Sequence, residues 1–437
     1  MSMNSKRSQN YQALLLVGAL IMPCSASADK AKAAEYYESA AALVSQGKPA
    51  SAIIELKNAL QQNADLLPAH VLLGKVYLSE GSAAQAEEAF LKAKLLGADK
   101  TLVYSLLAQS YLLQSKFQTL VGTLDHKGLP RKDKAELFVH RGHAYLQLRD
   151  FEKSNDAFLQ AANLSPQAAD PIAGRALLLM HQGQTNDAKK LADQALLLEP
   201  ENAEGWNVQA SLAHRAGNLV AAQNAYGKVL GFDPKHLAAR LARVGIYLDL
   251  QKIKLAEKDL AFLRTSFPYE PRSLYLQSVL FNQQGKQSDA LKNIQTAADV
   301  LDELNPKVVS SNQTLMMLAS LVYFDLNRLE KAEEYLKIYI ARFPSELGAR
   351  KLLANILLKS GRYQDCIKIL SPVVKQDQNS PDILSLLGRA YIGLGQHDQA
   401  LSMLTKAVEL DGNVGNKTEL ALSQIGVGNK GLAIELL

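Results

Sequence analysis

His140 and His143 stand three residues apart in a stretch that reads as helix, and that spacing puts two imidazoles on one helical face, where they could offer two ligands to a metal. No Asp, Glu or Cys at matching spacing completes a set, and the other His residues are dispersed. The alternative is a partly exposed pair with His143 lining a groove. Cys366 falls where comparable stretches carry Ala, which reads as a small buried residue at a helix crossing rather than a redox thiol. The chain has no P-loop, no strand followed by GxGxxG, no HExxH and no GxSxG. The expectation is a protein that is not an enzyme, with no catalytic residues, no cofactor and no metal.

The elements that would have to carry any chemistry are repeated helix pairs. Ala135–Ala168 reads as two short amphipathic helices with a turn at Leu148–Asp150, closed by Pro166. Such a unit buries its apolar face only against a copy of itself. Taking Gly142 as position eight, steps of 34 residues place Ala40, Gly74, Ala108, Gly142, Ala176, Ala210, Val244 and Ser278 in register. Position twenty carries Ala52, Ala86, Leu120, Ser154, Ala188, Ala222, Ala256 and Ala290. Positions eight and twenty are expected where the two helices cross, with larger apolar residues at positions four, seven, eleven and twenty-four. Glycine at position fifteen suits the end of the first helix, and Pro166, Pro200, Pro234 and Pro268 at position thirty-two end the second.

Eight contiguous units span residues 33–304. The phase then slips by eight residues, 305–312, which read as a loop between two sub-arrays, with Ser311 or Asn312 free to cap the next helix. Three further units span 313–414, and 415–437 is an incomplete twelfth. Its apolar end would leave Ile434 and Leu437 facing water, the expectation of a truncated chain or a larger natural protein. The third unit, Thr101–Lys134, is irregular: Gly122, Asp125 and Gly128 predict a distorted second helix and a bend, or a notch for a partner.

Composition fits this reading. Of 437 residues, 48% are hydrophobic and only 6% aromatic, which favours Ala- and Leu-rich helices over sheet. The net charge is +5, of which Lys6 and Arg7 lie in residues 1–28, and no dense basic block suggests nucleic acid. Those 28 residues read as a signal peptide: Lys6 and Arg7, then the apolar run Ala13–Met22, then Pro23 and the small residues Ala26-Ser27-Ala28. The apolar run is too short to span a bilayer, which takes about 20 residues. Cleavage after Ala28 and lipidation at Cys24 both lead out of the cytoplasm, to a bacterial periplasm or outer membrane. Membrane attachment is expected only if Cys24 is lipidated.

The period and its small and large positions resemble the tetratricopeptide repeat. The resemblance implies an all-α, right-handed superhelical solenoid of helix–turn–helix repeats, with a concave groove lined by first helices at positions two, five, nine, twelve and thirteen. The candidate contacts are then His143, Asn207, His214, Arg215, Arg272, Tyr275, Asn282, Lys351, Asn355 and Arg389. A polar groove with Tyr and Arg suits a peptide or a polar polymer. Lys351 and Asn355 match the start of the carboxylate clamp of chaperone-binding arrays, but Leu386 stands where its second Asn is needed.

The wording of Ser51–Leu60 (SAIIELKNAL), Leu72–Leu78, Ala83–Phe90 and Leu106–Leu113 resembles a narrower group, the exported lipoproteins of the PEP-CTERM/exosortase system. Pro23 before Cys24 departs from that group's lipoprotein signal. This resemblance implies a scaffold for protein–protein interactions in envelope assembly, in exopolysaccharide or surface-protein export, with protein partners in the secretion machinery. Two alternatives are a groove that binds polysaccharide directly and a catalytic domain beyond Leu437.

Overall fold

The computed structural model describes residues 22–344, 346–376 and 380–436, with the side chains of residues 22–28, 311, 375 and 376 outside that description. Every regular element among them is an α-helix, from Met22–Ser45 to Lys430–Leu436. The chain divides into two compact units at Pro234/Lys235. Within each, successive helices pack on one another, and first helices also touch the first helix of the next repeat, giving an all-α superhelical repeat fold. No helix among the described residues is long and apolar enough to cross a membrane. Of the expected signal segment, residues 1–21 lie outside the described residues, as does the side chain of Cys24. The backbone through Ala26–Ala28 is helical and continuous with the first repeat.

Helix boundaries follow the period. In the fourth repeat the first helix is Arg131–Gln147 and the second Phe151–Leu164. Asp150 caps the second helix by accepting from the Lys153 N–H (3.2 Å). The turn between them is a Schellman-type closure, in which the Asp150 N–H donates to the Tyr145 carbonyl and the Arg149 N–H to that of Leu146 (both 3.0 Å). Position fifteen has positive φ in all twelve repeats. It holds Gly in eight of them, but Ser115 (φ 57°), Arg149 (60°), Gln251 (55°) and Asn327 (55°) adopt the same conformation. The stacking of the two helices therefore imposes the left-handed turn even where the side chain disfavours it.

The crossing is tight in the way the small residues predict. Ser154 at position twenty is buried, and its hydroxyl donates to the Gly142 carbonyl (2.8 Å). Phe158 at position twenty-four is fully buried, and a Cβ on Gly142 would lie 2.6 Å from its ring. A Cβ on Gly174, in the next repeat, would lie 2.3 Å from the same ring. Position eight must therefore be small to admit the ring at position twenty-four as well as the side chain at position twenty.

Three expectations are corrected. Residues 306–311 are a short helix, Pro306–Ser311, rather than a loop. The Asn305 side chain caps it, and Asn312 caps the following helix by accepting from the Leu315 N–H (3.0 Å). Nor does the insertion divide the array into sub-arrays: its Val309 is fully buried in a core that runs from Ala297 to Ala390. The twelfth repeat begins at Val414, one residue earlier than the period places it, because Asn413 caps its first helix by accepting from the Asn416 N–H (2.9 Å). Ala421 (1% exposed), not Leu422 (50%), then fills the buried small position. Ile434 is exposed, and Leu437 lies outside the described residues.

The irregular third repeat has a second helix of only seven residues, Phe117–Thr123. The next first helix starts early, at Arg131, so that Lys132 occupies an extra turn before the repeat proper. Arg141 ties the shortened segment down, its guanidinium donating to the Val121 carbonyl (3.2 Å).

Candidate functional site

That extra turn contributes to a cavity of about 450 Å³ in the first unit, between the first helices of repeats three and four and the start of repeat five. Its polar lining is Ser105, Gln109, Lys132, Glu136, His140, Ser165 and Asp170, with Val139 and Pro171 among its apolar walls. Glu136 and Asp170 hold position two of their repeats, Ser105 and Val139 position five, and Gln109 position nine. These are among the positions expected to line a groove, although none of the ten candidate contacts is one of them.

His140, not His143, belongs to it. The His140 Nε2 lies 3.1 Å from the Ser105 hydroxyl. Burial, helped by the neighbouring His143, drives its pKa far below the usual imidazole value, to about 4, so the ring is neutral at ordinary pH. His143 instead packs edge-on against Phe158, with ring centroids 5.1 Å apart, and is absent from the cavity wall. Helical spacing gave the two rings a common side, but the large side chain at position twenty-four claims one of them. No group of three or more His, Cys, Asp and Glu side chains suited to a metal ion occurs among the described residues. Asp170 accepts from the Asn202 amide (2.7 Å), which itself caps the sixth repeat.

The other first-unit candidates lie on the helix Ala203–Arg215 and stand apart from the cavity lining. Asn207 and His214 are half-buried, and Arg215 is exposed with its guanidinium 3.5 Å from the Met180 carbonyl.

In the second unit the basic candidates have acidic partners. Arg272 makes a two-pronged pair with Glu270 (2.6 and 3.0 Å). Lys351 pairs with Asp382 (2.8 Å) and Arg389 with Glu419 (3.5 Å), each reaching the first helix of the following repeat. Asn355 donates to the Lys351 carbonyl, within its own helix (3.0 Å), and Leu386 is buried. Tyr275 and Asp325 share a hydrogen bond; burial together with the Asp325 charge holds the phenol well above its usual range. Burial raises the Asp325 carboxyl despite Tyr275 and Lys359. Asn282 is exposed.

Repeat seven breaks the apolar pattern. Its positions four and seven are Arg240 and Arg243, and both grip the buried Asp259 (3% exposed) at 2.6 to 2.8 Å. The Arg240 guanidinium also stacks 3.8 Å from the Phe262 ring centre. Burial opposes the Arg243 charge, but the hydrogen bonds and attraction of Asp259 outweigh it and raise its pKa. Two arginines at core positions were the signal for this network. Cys366 is fully buried at its crossing, and burial pushes its thiol up to about 11.

Family models described as "Tetratricopeptide repeat" match residues 43–110, 323–389 and 357–416, a second model matches 173–236 and a third 135–167. Human DnaJ homolog subfamily C member 7 is 24% identical over 308 residues, covering 64% of this chain and 61% of that protein. Cellulose synthase operon protein C of Pseudomonas fluorescens is 25% identical over 280 residues, covering 61% of this chain and 19% of that protein. The chain thus spans about three fifths of the first relative's length and a fifth of the second's. The crystal structure of the APC/C hetero-tetramer Cut9-Hcn1 covers 91% of this chain and 90% of its own, at 16% identity and a TM-score of 0.49. The repeat models together cover more than half of the sequence, and the chain belongs to the tetratricopeptide repeat family.

Proposed function

We propose that this protein is an exported scaffold that gathers protein partners for polysaccharide or surface-protein export through a bacterial envelope. The observation that carries the reading is a repeat solenoid whose polar groove holds an open cavity, on a chain similar over 280 residues to cellulose synthase operon protein C. The export segment read in residues 1–28 supports the compartment. The narrower attachment to the PEP-CTERM/exosortase system rests on the wording of Ser51–Leu60 and its neighbours.

The test is fractionation and in-cell crosslinking of the full chain in a polysaccharide-secreting bacterium. The expected result is a periplasmic or outer-membrane protein crosslinked to components of the export apparatus, with less extracellular polymer when the gene is deleted. A cytoplasmic chain with cytoplasmic partners would overturn the proposal.

A second reading, direct polymer binding, has one observation in its favour. In the second unit Arg272, Lys351 and Arg389 are held by acids, which leaves a polar face of low net charge, suited to neutral sugars. Retention of the chain by soluble cellulose oligomers, lost in a combined Arg272 and Tyr275 alanine variant, would support it. Unchanged retention in that variant would count against it.

A further inference from the structure

We infer that the cavity of the first unit is a receptor for a basic side chain, arginine or lysine, presented by an extended segment of a partner protein. The inference rests on the scaffold reading and names what one part of the groove recognises.

Charge decides the occupant. Glu136 and Asp170 occupy the same inward position in successive repeats and both line the cavity. The Asn202 amide takes one Asp170 oxygen and leaves the carboxylate able to accept further donors. His140 adds no positive charge, since burial keeps it neutral, and its Nε2 is occupied with the Ser105 hydroxyl. Lys132 is the one cation of the lining; it is solvent-exposed, on the turn added ahead of the repeat, where water can screen it. A guanidinium or ammonium thus meets two carboxylates and the amide oxygen of Gln109, while its alkyl stem lies along Val139, Ala135 and Pro171. An anion would meet two carboxylates instead. The volume, about 450 Å³, accommodates such a side chain with adjoining backbone.

The shortened helix of repeat three shapes this place, because the early start of the next helix brings Lys132 to the lining. The irregularity of that repeat then has a role in recognition.

The test is an NMR titration of the full chain with a blocked pentapeptide, Ac-Gly-Gly-Arg-Gly-Gly-NH2, and its citrulline counterpart, which keeps the shape and loses the charge. The expected result is perturbation of the His140 ring and Val139 methyl signals by the arginine peptide, with binding at least roughly tenfold weaker for citrulline. Glu136→Gln and Asp170→Asn should each weaken the arginine peptide, with helicity by circular dichroism unchanged. Added salt should weaken it further.

Equal binding of the citrulline peptide, or full binding to the Glu136→Gln, Asp170→Asn double variant, would overturn the assignment. So would perturbation of the same signals by cellohexaose alone. A chain that crosslinks to export components yet ignores the arginine peptide would sink the pocket and leave the scaffold standing. A chain that binds the peptide but stays in the cytoplasm would do the reverse.

Discussion

The ring of Phe158 fills the space where a Cβ on Gly174 would stand, 2.3 Å from its nearest atom, and so joins the second helix of one repeat to the first helix of the next. Gly142 flanks the same ring from its own repeat, so one aromatic side chain fixes the spacing of three helices. Gly174→Ala should therefore destabilise the first unit by about 1–3 kcal/mol through overpacking. Denaturant unfolding checks this, and Phe158→Leu in the same chain should recover some of the loss. Equal stability of Gly174→Ala and the parent would show that the helices slide apart without cost.

Asp259 gives the second prediction. It is buried under two guanidinium groups, so Asp259→Ala leaves two partly buried cations without their anion. Removing one partner of such a cluster costs about 3–5 kcal/mol. Thermal unfolding of the second unit should show this loss, while Arg362→Ala, which removes an exposed cation from Glu333 and Asp365, should change stability by only about 1 kcal/mol or less.

The third concerns the turns. Arg149 and Gln251 hold φ of 60° and 55°, a conformation that costs a residue with a Cβ about 1–2 kcal/mol relative to glycine. Glycine also loses more chain entropy on folding, which offsets some of that gain. Gln251→Gly should stabilise by about 0.5–1 kcal/mol, measured by chemical denaturation; destabilisation would mean that the Gln251 side chain makes contacts that outweigh the strain.

His140 sets a pH dependence. Its folded pKa, about 4, lies below the ordinary 6.5, so the unfolded chain binds the proton more readily. Stability is then complete above about pH 6.5 and falls as pH drops toward 4, by on the order of 2–3 kcal/mol for this one group. His140→Gln should flatten that region of the pH–stability profile, and an unaltered profile would rule His140 out as its source.

The fold was legible because the repeat states it twelve times, and a small residue at position eight or a proline at thirty-two carries the same physical demand wherever it recurs. What the period could not state were departures from itself. Asn413 starts the last repeat one residue early, and only the burial of Ala421 in place of Leu422 reveals it. Arg240 and Arg243 were visible at apolar positions, but their shared anion, Asp259, lies on the other helix of the repeat. The candidate site was less legible. Residues at positions two, five and nine line the cavity, but none of the ten side chains singled out from the sequence is among them, and the choice between His140 and His143 depended on where Phe158 packs.

The short helix at residues 306–311 carries a mechanical meaning. Val309 is buried with side chains from both flanking repeats, so the core passes through the insertion unbroken. A second unit drawn out by its ends would meet no weak seam there: the extra turn bears load along with its neighbours and should rupture with them as one event.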